Sequence, residues 1–82
     1  MTNSRLTHNE AEGDGGGAGL GGGADNDATS TLTLTNSRVT HNRANGSPGI
    51  GGGIYNLGKL NLDALSVVKH NHASTSGDDI GP

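Results

Sequence analysis

An eight-residue phrase occurs twice: Thr2-Asn-Ser-Arg-Leu-Thr-His-Asn9 returns as Thr35-Asn-Ser-Arg-Val-Thr-His-Asn42. A looser echo, Ser66-Val-Val-Lys-His-Asn71, follows. Self-similarity at this period means stacked copies of one supersecondary unit, because no single copy can bury its own apolar face. The copies must then share equivalent environments. This constrains architecture far more tightly than function.

Composition narrows the choice. Eighty-two residues make one small domain, or a piece of something longer. A compact globule of this length buries roughly 60–65% of its unfolded surface. Here only 28% of residues are apolar, Tyr55 is the sole aromatic, and no Cys is present. Without thiols there is no disulfide to compensate, and the redox compartment is not indicated. The abundance of Gly, Asn, Ser and Thr fits either disorder or a solenoid held by backbone ladders between coils. The repeated apolar positions favour the solenoid.

The His-Asn pairs place Asn9, Asn42 and Asn71 in register, with connecting loops of different length. A second recurring element lies between them: Gly51-Gly-Gly-Ile-Tyr-Asn56 with Leu60-x-Leu62 matches Gly21-Gly-Gly-Ala-Asp-Asn26 with Leu32-x-Leu34. One unit therefore reads Gly-Gly-Gly-x, a turn, Leu-x-Leu, then Ser-x-Val-x-x-Asn. Leu32 and Leu34 alternate with threonines, which is strand patterning. Ser37 and Val39 have the opposite parity, so a straight strand cannot point both sets inward. A corner near Asn36 removes the conflict. The third copy carries an extra residue in Asp63-Ala-Leu65, leaving Leu65 either bulged or in the core. Glu10–Ala18 and Asn45–Pro48 read as loops, and 75–82 as a polar tail, frayed or opening the next loop. Repeats are expected over 1–74, divided near 2–34, 35–62 and 63–74.

The pattern Gly-Gly-Gly-Ile-Tyr-Asn-x-Gly-x-Leu-x-Leu with Ser-x-Val-x-x-Asn resembles right-handed parallel β-helix repeats of bacterial surface and secreted proteins. It is most similar to the polymorphic outer-membrane, autotransporter-passenger type, within the pectin-lyase-like folds. Gly51–Ile54 and Val39–Asn42 carry the likeness best, Val68–Asn71 and Leu6–Asn9 carry its second half, and Gly21–Ala24 is a degraded copy. The resemblance implies an all-β fold, a right-handed parallel β-helix fragment of two to three coils, with an extracellular or bacterial cell-surface location. No membrane-anchoring barrel and no secretion signal accompany it in this sequence, so a signal would have to lie upstream.

In such a stack, equivalent residues lie one strand spacing apart, about 4.7–4.9 Å. Asn9, Asn42 and Asn71 could then form a structural amide ladder. His8, His41 and His70 would form a parallel column, a candidate site for Zn or Ni. No carboxylate or thiolate is in step to complete a tetrahedral set, so the plainer reading is a repeated surface turn residue. Protonation would set the column against itself, making the fold acid-sensitive. Asp25 and Asp27, in Gly22-Gly-Ala-Asp-Asn-Asp27, resemble one unit of the calcium-binding nonapeptide repeat. Those sites are built from consecutive units, and turn-favouring Asp and Asn explain the segment better.

Catalytic chemistry finds no foothold. Sugar-cleaving sites need paired carboxylates or carboxylate-bound calcium with basic residues on one face, and the eight acids recur in no such register. Asp78 and Asp79 read as solvated tail residues. No Gly-Lys-Ser/Thr follows the glycine runs, and no motif calls for a cofactor. A net charge of −3 and five scattered cations argue against nucleic acid. No apolar run is long enough to span a membrane as a helix.

The expectation is a non-catalytic structural segment of a secreted or cell-surface protein, displaying loops 10–20 and 43–50 for adhesion, with a host-surface or polysaccharide ligand. The alternative is a remnant of a carbohydrate-active β-helix enzyme, a polysaccharide lyase or glycosidase without its catalytic coils. No cap is visible at the start, so an open strand edge is expected there. The chain should pair end to end with itself or with neighbouring coils of a longer chain.

Overall fold

A computed structural model describes residues 1–13 and 17–81. These residues contain strands and turns only: β1 (Arg5–Thr7), β2 (Glu10–Glu12), β3 (Gly19–Leu20), β4 (Ala24–Asn26), β5 (Thr31–Leu34), β6 (Arg38–Thr40), β7 (Arg43–Asn45), β8 (Gly49–Ile50), β9 (Ile54–Asn56), β10 (Lys59–Leu62), β11 (Val67–Lys69), β12 (His72–Ala73) and β13 (Ile80–Gly81). No helix among the described residues is long and apolar enough to cross a membrane.

Every strand pairing is parallel and joins one copy of the repeat to another. The ladders are β1-β6-β11, β2-β7-β12, β4-β9-β13, β3-β8 and β5-β10. Leu6, Val39 and Val68 share a register position, as do Ala11, Ala44 and Ala73. The chain thus makes three successive rounds, β1–β5, β6–β10 and β11–β13, with the second between the others. Parallel pairing at these sequence offsets is compatible with a β-solenoid.

The core gathers where successive rounds cover one another, and β6, β7 and β9 are the strands paired on both sides. Leu34, Val39 and Ile54 are fully buried, with Leu6, Ala24, Leu32, Leu60 and Val68 packed around them. Leu34 and Val39 both face inward although they differ in parity, because the backbone between them turns at Asn36, whose φ is +46°. Asn tolerates this left-handed region better than most residues. Gly51, with φ +71°, turns the Gly-Gly-Gly corner; a Cβ there would lie 2.5 Å from the Ile54 carbonyl oxygen.

One open alternative is settled and two sequence expectations change. The extra residue of the third copy is accommodated outside: Leu65 sits in a turn at 68% exposure rather than in the core. The segments read as loops contain strands β2 and β3 and the ends of β7 and β8, which shortens the loops to 13–18 and 46–48; Asp14, Gly15 and Gly16 lie outside the described residues. These strands are two or three residues long, and β2 and β7 each cover one alanine, Ala11 partly and Ala44 fully, too faint a pattern to read as period two. The polar segment after residue 74 is also paired. Ser76 bridges Ile50, and Ile80 and Gly81 lie beside Ile54 and Tyr55; Pro82 is outside the described residues.

Stability should therefore depend on position rather than hydrophobicity. We expect Leu34→Ala to lower the unfolding free energy by about 2–5 kcal/mol and Leu65→Ala to change it by less than about 0.5 kcal/mol. Urea titration followed by circular dichroism checks both.

Candidate functional site

The residues carrying the repeat meet at one corner. His8, His41 and His70 each adopt φ of +57° to +58°, a conformation in which His is enriched among non-glycine residues. The kink swings the following Asn under the sheets, so Asn42 and Asn71 are buried. The backbone N–H and Nδ2 of Asn9 both donate to Oδ1 of Asn42, at 2.9 and 3.0 Å. Asn42 repeats this towards Oδ1 of Asn71, at 2.9 and 3.1 Å. The Nδ2 groups of Asn42 and Asn71 also donate to the carbonyls of Leu6 and Val39, at 2.8 and 3.0 Å. The buried Asn42 amide is thus satisfied by the rounds on either side of it. Among the described residues no buried side-chain N or O lacks a partner.

The same device recurs where the sequence reading had not placed it. The Ser4 N–H donates to Ser37 Oγ and the Ser37 N–H to Ser66 Oγ, at 3.3 and 3.2 Å. Asn26 Nδ2 donates to Asn56 Oδ1 at 2.8 Å. The signal for that pair was available, as both close a Gly-Gly-Gly-x-x-Asn element. Asn36 Nδ2 donates to Asn3 Oδ1 at 2.9 Å, and its N–H donates to the Asp63 carboxylate, at 3.1 Å to the nearer oxygen.

Asp78 and Asp79, read as solvated tail residues, are engaged. Oδ1 of Asp79 accepts the N–H and Nδ2 of Asn71, at 3.1 and 3.0 Å. Oδ1 of Asp78 accepts the Ala73 N–H at 3.0 Å. The reason is local: Gly77-Asp78-Asp79-Ile80 takes the register of Gly51-Gly-Gly-Ile54, bringing both carboxylates back over the Asn71 corner.

The histidine rings stack, with centroids 5.4 Å apart between His8 and His41 and 5.6 Å between His41 and His70, tilted by 11° and 26°. Ring nitrogen lone pairs lie in the ring planes, so near-parallel rings do not converge on one ion. His72 lies apart from the column, 3.8 Å from Asp78. Asp25 is exposed on β4 beside the Tyr55 position, and Asp27 is exposed in the following turn. Neither meets the histidines: no group of three or more His, Cys, Asp or Glu placed to hold a metal exists among the described residues. Arg5 and Arg38 are register neighbours on an outward face, with Val67 third. Arg43 and Glu10 approach to 3.9 Å with both side chains about half exposed, a pairing worth ~1 kcal/mol or less.

Among the described residues Asp63 is the one acid whose pKa is clearly moved, and it is lowered. The Ser66 hydroxyl, 2.6 Å away, is the main cause; partial desolvation opposes it, and the Asn36 N–H adds to the lowering. A carboxyl that titrates lower when folded adds stability fully present above the ordinary aspartate range, and loses it as pH falls through the lowered value. We therefore expect the Asp63→Asn variant to lose less stability than the parent on acidification through that window, measured by urea unfolding at a series of pH values. We also expect Asn42→Ala to cost about 1–3 kcal/mol, because it orphans the Asn9 N–H and the Leu6 carbonyl. Thermal unfolding checks that value, with the exposed Asn61→Ala as the neutral reference. Compared with known proteins, the chain matches no family model, no curated protein and no solved structure.

Proposed function

We propose that this chain is a segment of a right-handed parallel β-helix, of the kind it resembles in bacterial surface and secreted proteins, and that it serves as a non-catalytic scaffold presenting loops. The supporting observation is a contrast in variation. At the corners that carry Asn9, Asn42 and Asn71, residue type, backbone angle and hydrogen bonding repeat from round to round. The connections that follow do not repeat: 13–18 joins β2 to β3, and 46–48 joins β7 to β8. A rigid frame with loops of differing length and sequence is how scaffolds present binding surfaces. On this reading, which follows the resemblance, the chain lies outside the cell and takes a host surface or polysaccharide as its ligand.

Within this reading no residue of the segment performs chemistry. Asp63, Asp78 and Asp79 are occupied as hydrogen-bond acceptors for the frame. The remaining acids, where described, are exposed and spread over separate strands and turns.

The test is an epitope inserted between Ser47 and Pro48. We expect an unchanged circular dichroism spectrum and full antibody recognition of the native protein. Loss of the β spectrum on insertion would contradict a display role for this loop. Turnover of a polysaccharide by the purified chain would overturn the non-catalytic reading.

A further inference from the structure

We propose that Asp78 and Asp79 form a stop that ends the amide ladder and closes this corner of the third round to any further round, whether from the same chain or from a second copy. The inference uses the stacked rounds and does not depend on the display role. Its basis is the direction of the ladder. At the Asn corner the N–H and Nδ2 of one round always donate to a side-chain oxygen of the next: Asn9 to Asn42, then Asn42 to Asn71. The next acceptor in the series is Asp79 Oδ1, which takes both donors of Asn71 at 3.1 and 3.0 Å. That oxygen holds the place that a fourth asparagine would take.

Two further observations show why the ladder goes no further. Asp79 falls in register with Gly53, because Ile80 pairs with Ile54. A Cβ at Gly53 would lie 2.7 Å from Asn71 Nδ2, and one at Gly23 would lie 3.1 Å from Asn42 Nδ2. The third glycine is therefore what makes room for the asparagine of the following round. Position 79 fills that room with its own side chain. A carboxylate also accepts without donating, so it has no N–H to pass onward as Asn42 and Asn71 do.

Asp78 acts alongside it. The His72 N–H donates back to the Asn42 carbonyl, so the next N–H along the strand, that of Ala73, faces away from the second round. Asp78 Oδ1 accepts it at 3.0 Å, where the carbonyl of a further strand would otherwise sit. At the opposite end no such device exists among the described residues, and Oδ1 of Asn9 remains on an exposed residue. Acceptor-only side chains at one end and an open rung at the other give the stack a direction.

Removal of the stop should allow the Asn71 of one copy to donate to Asn9 of another. In sedimentation velocity, we expect the Asp78→Gly/Asp79→Gly variant to gain mass with concentration, reaching roughly twofold or more as open strand edges pair. The parent and Asp79→Asn, whose side chain still fills the rung, should not. Adding Asn9→Ala should reverse the gain. Equal sedimentation of the parent and the double-glycine variant, or association of Asp79→Asn as strong as that of the glycine variant, would overturn the proposal.

Hydrogen exchange on the parent provides a test that no folding defect of a variant can obscure. The Asn71 N–H should exchange at least about tenfold slower than in an unstructured peptide. Free exchange at Asn71 with Asn42 still protected would refute the stop alone. Free exchange at both would refute the stop together with the stacking that it requires.

Discussion

In-register parallel stacking makes the residues of β6, β7 and β9 neighbours of their own counterparts above and below. Only side chains that can satisfy a copy of themselves suit such a position. An amide can, because its oxygen accepts from one round while its nitrogen donates to the next, as Asn42 does between Asn9 and Asn71. A serine hydroxyl and a small aliphatic group can as well. A buried carboxylate cannot, since two of them in register would repel and leave no donor. The acids that do take corner positions in the third round, Asp63 and Asp79, sit where each has donors beneath it and no counterpart in register above.

This explains how a chain so poor in apolar residues holds a core. Leu34, Val39 and Ile54 are its fully buried aliphatics, each worth about 1.5–3 kcal/mol of burial. An orphaned buried amide group costs about 1–3 kcal/mol. The two scales match, so the polar ladders decide the outcome as much as the aliphatic filling does. The glycines contribute by absence of bulk: at Gly53 the missing Cβ is the space into which Asn71 fits. Sequence repetition is thus a direct consequence of the geometry. A substitution in one round must be tolerated by the rounds on either side.

Much of this was legible in the residues. The repeated octapeptide sets the pairing of β1 with β6, and the parity conflict between Leu34 and Val39 locates the corner at Asn36. Residues that lack a repeated partner were harder to read. Asp79 looks like a solvated acid because Asn71 and Ile80 are nine residues apart where Asn42 and Ile54 are twelve, which hides the match of Gly77–Ile80 to Gly51–Ile54. Strands β2 and β7 escaped notice because each is three residues long and covers a single alanine, Ala11 only partly. The stacking of His8, His41 and His70 follows from their common position, but the tilt of their rings, which decides whether they could share an ion, is written only in three dimensions.

Whether equivalent residues of the three rounds truly lie side by side can be asked directly. In a two-dimensional nuclear Overhauser spectrum, protons of Val39 should give interstrand cross-peaks to both Leu6 and Val68, and protons of Ala44 to both Ala11 and Ala73, in the pattern of parallel strands. A spectrum in which Val39 contacts neither residue, or contacts them in an antiparallel pattern, would contradict the stacked arrangement.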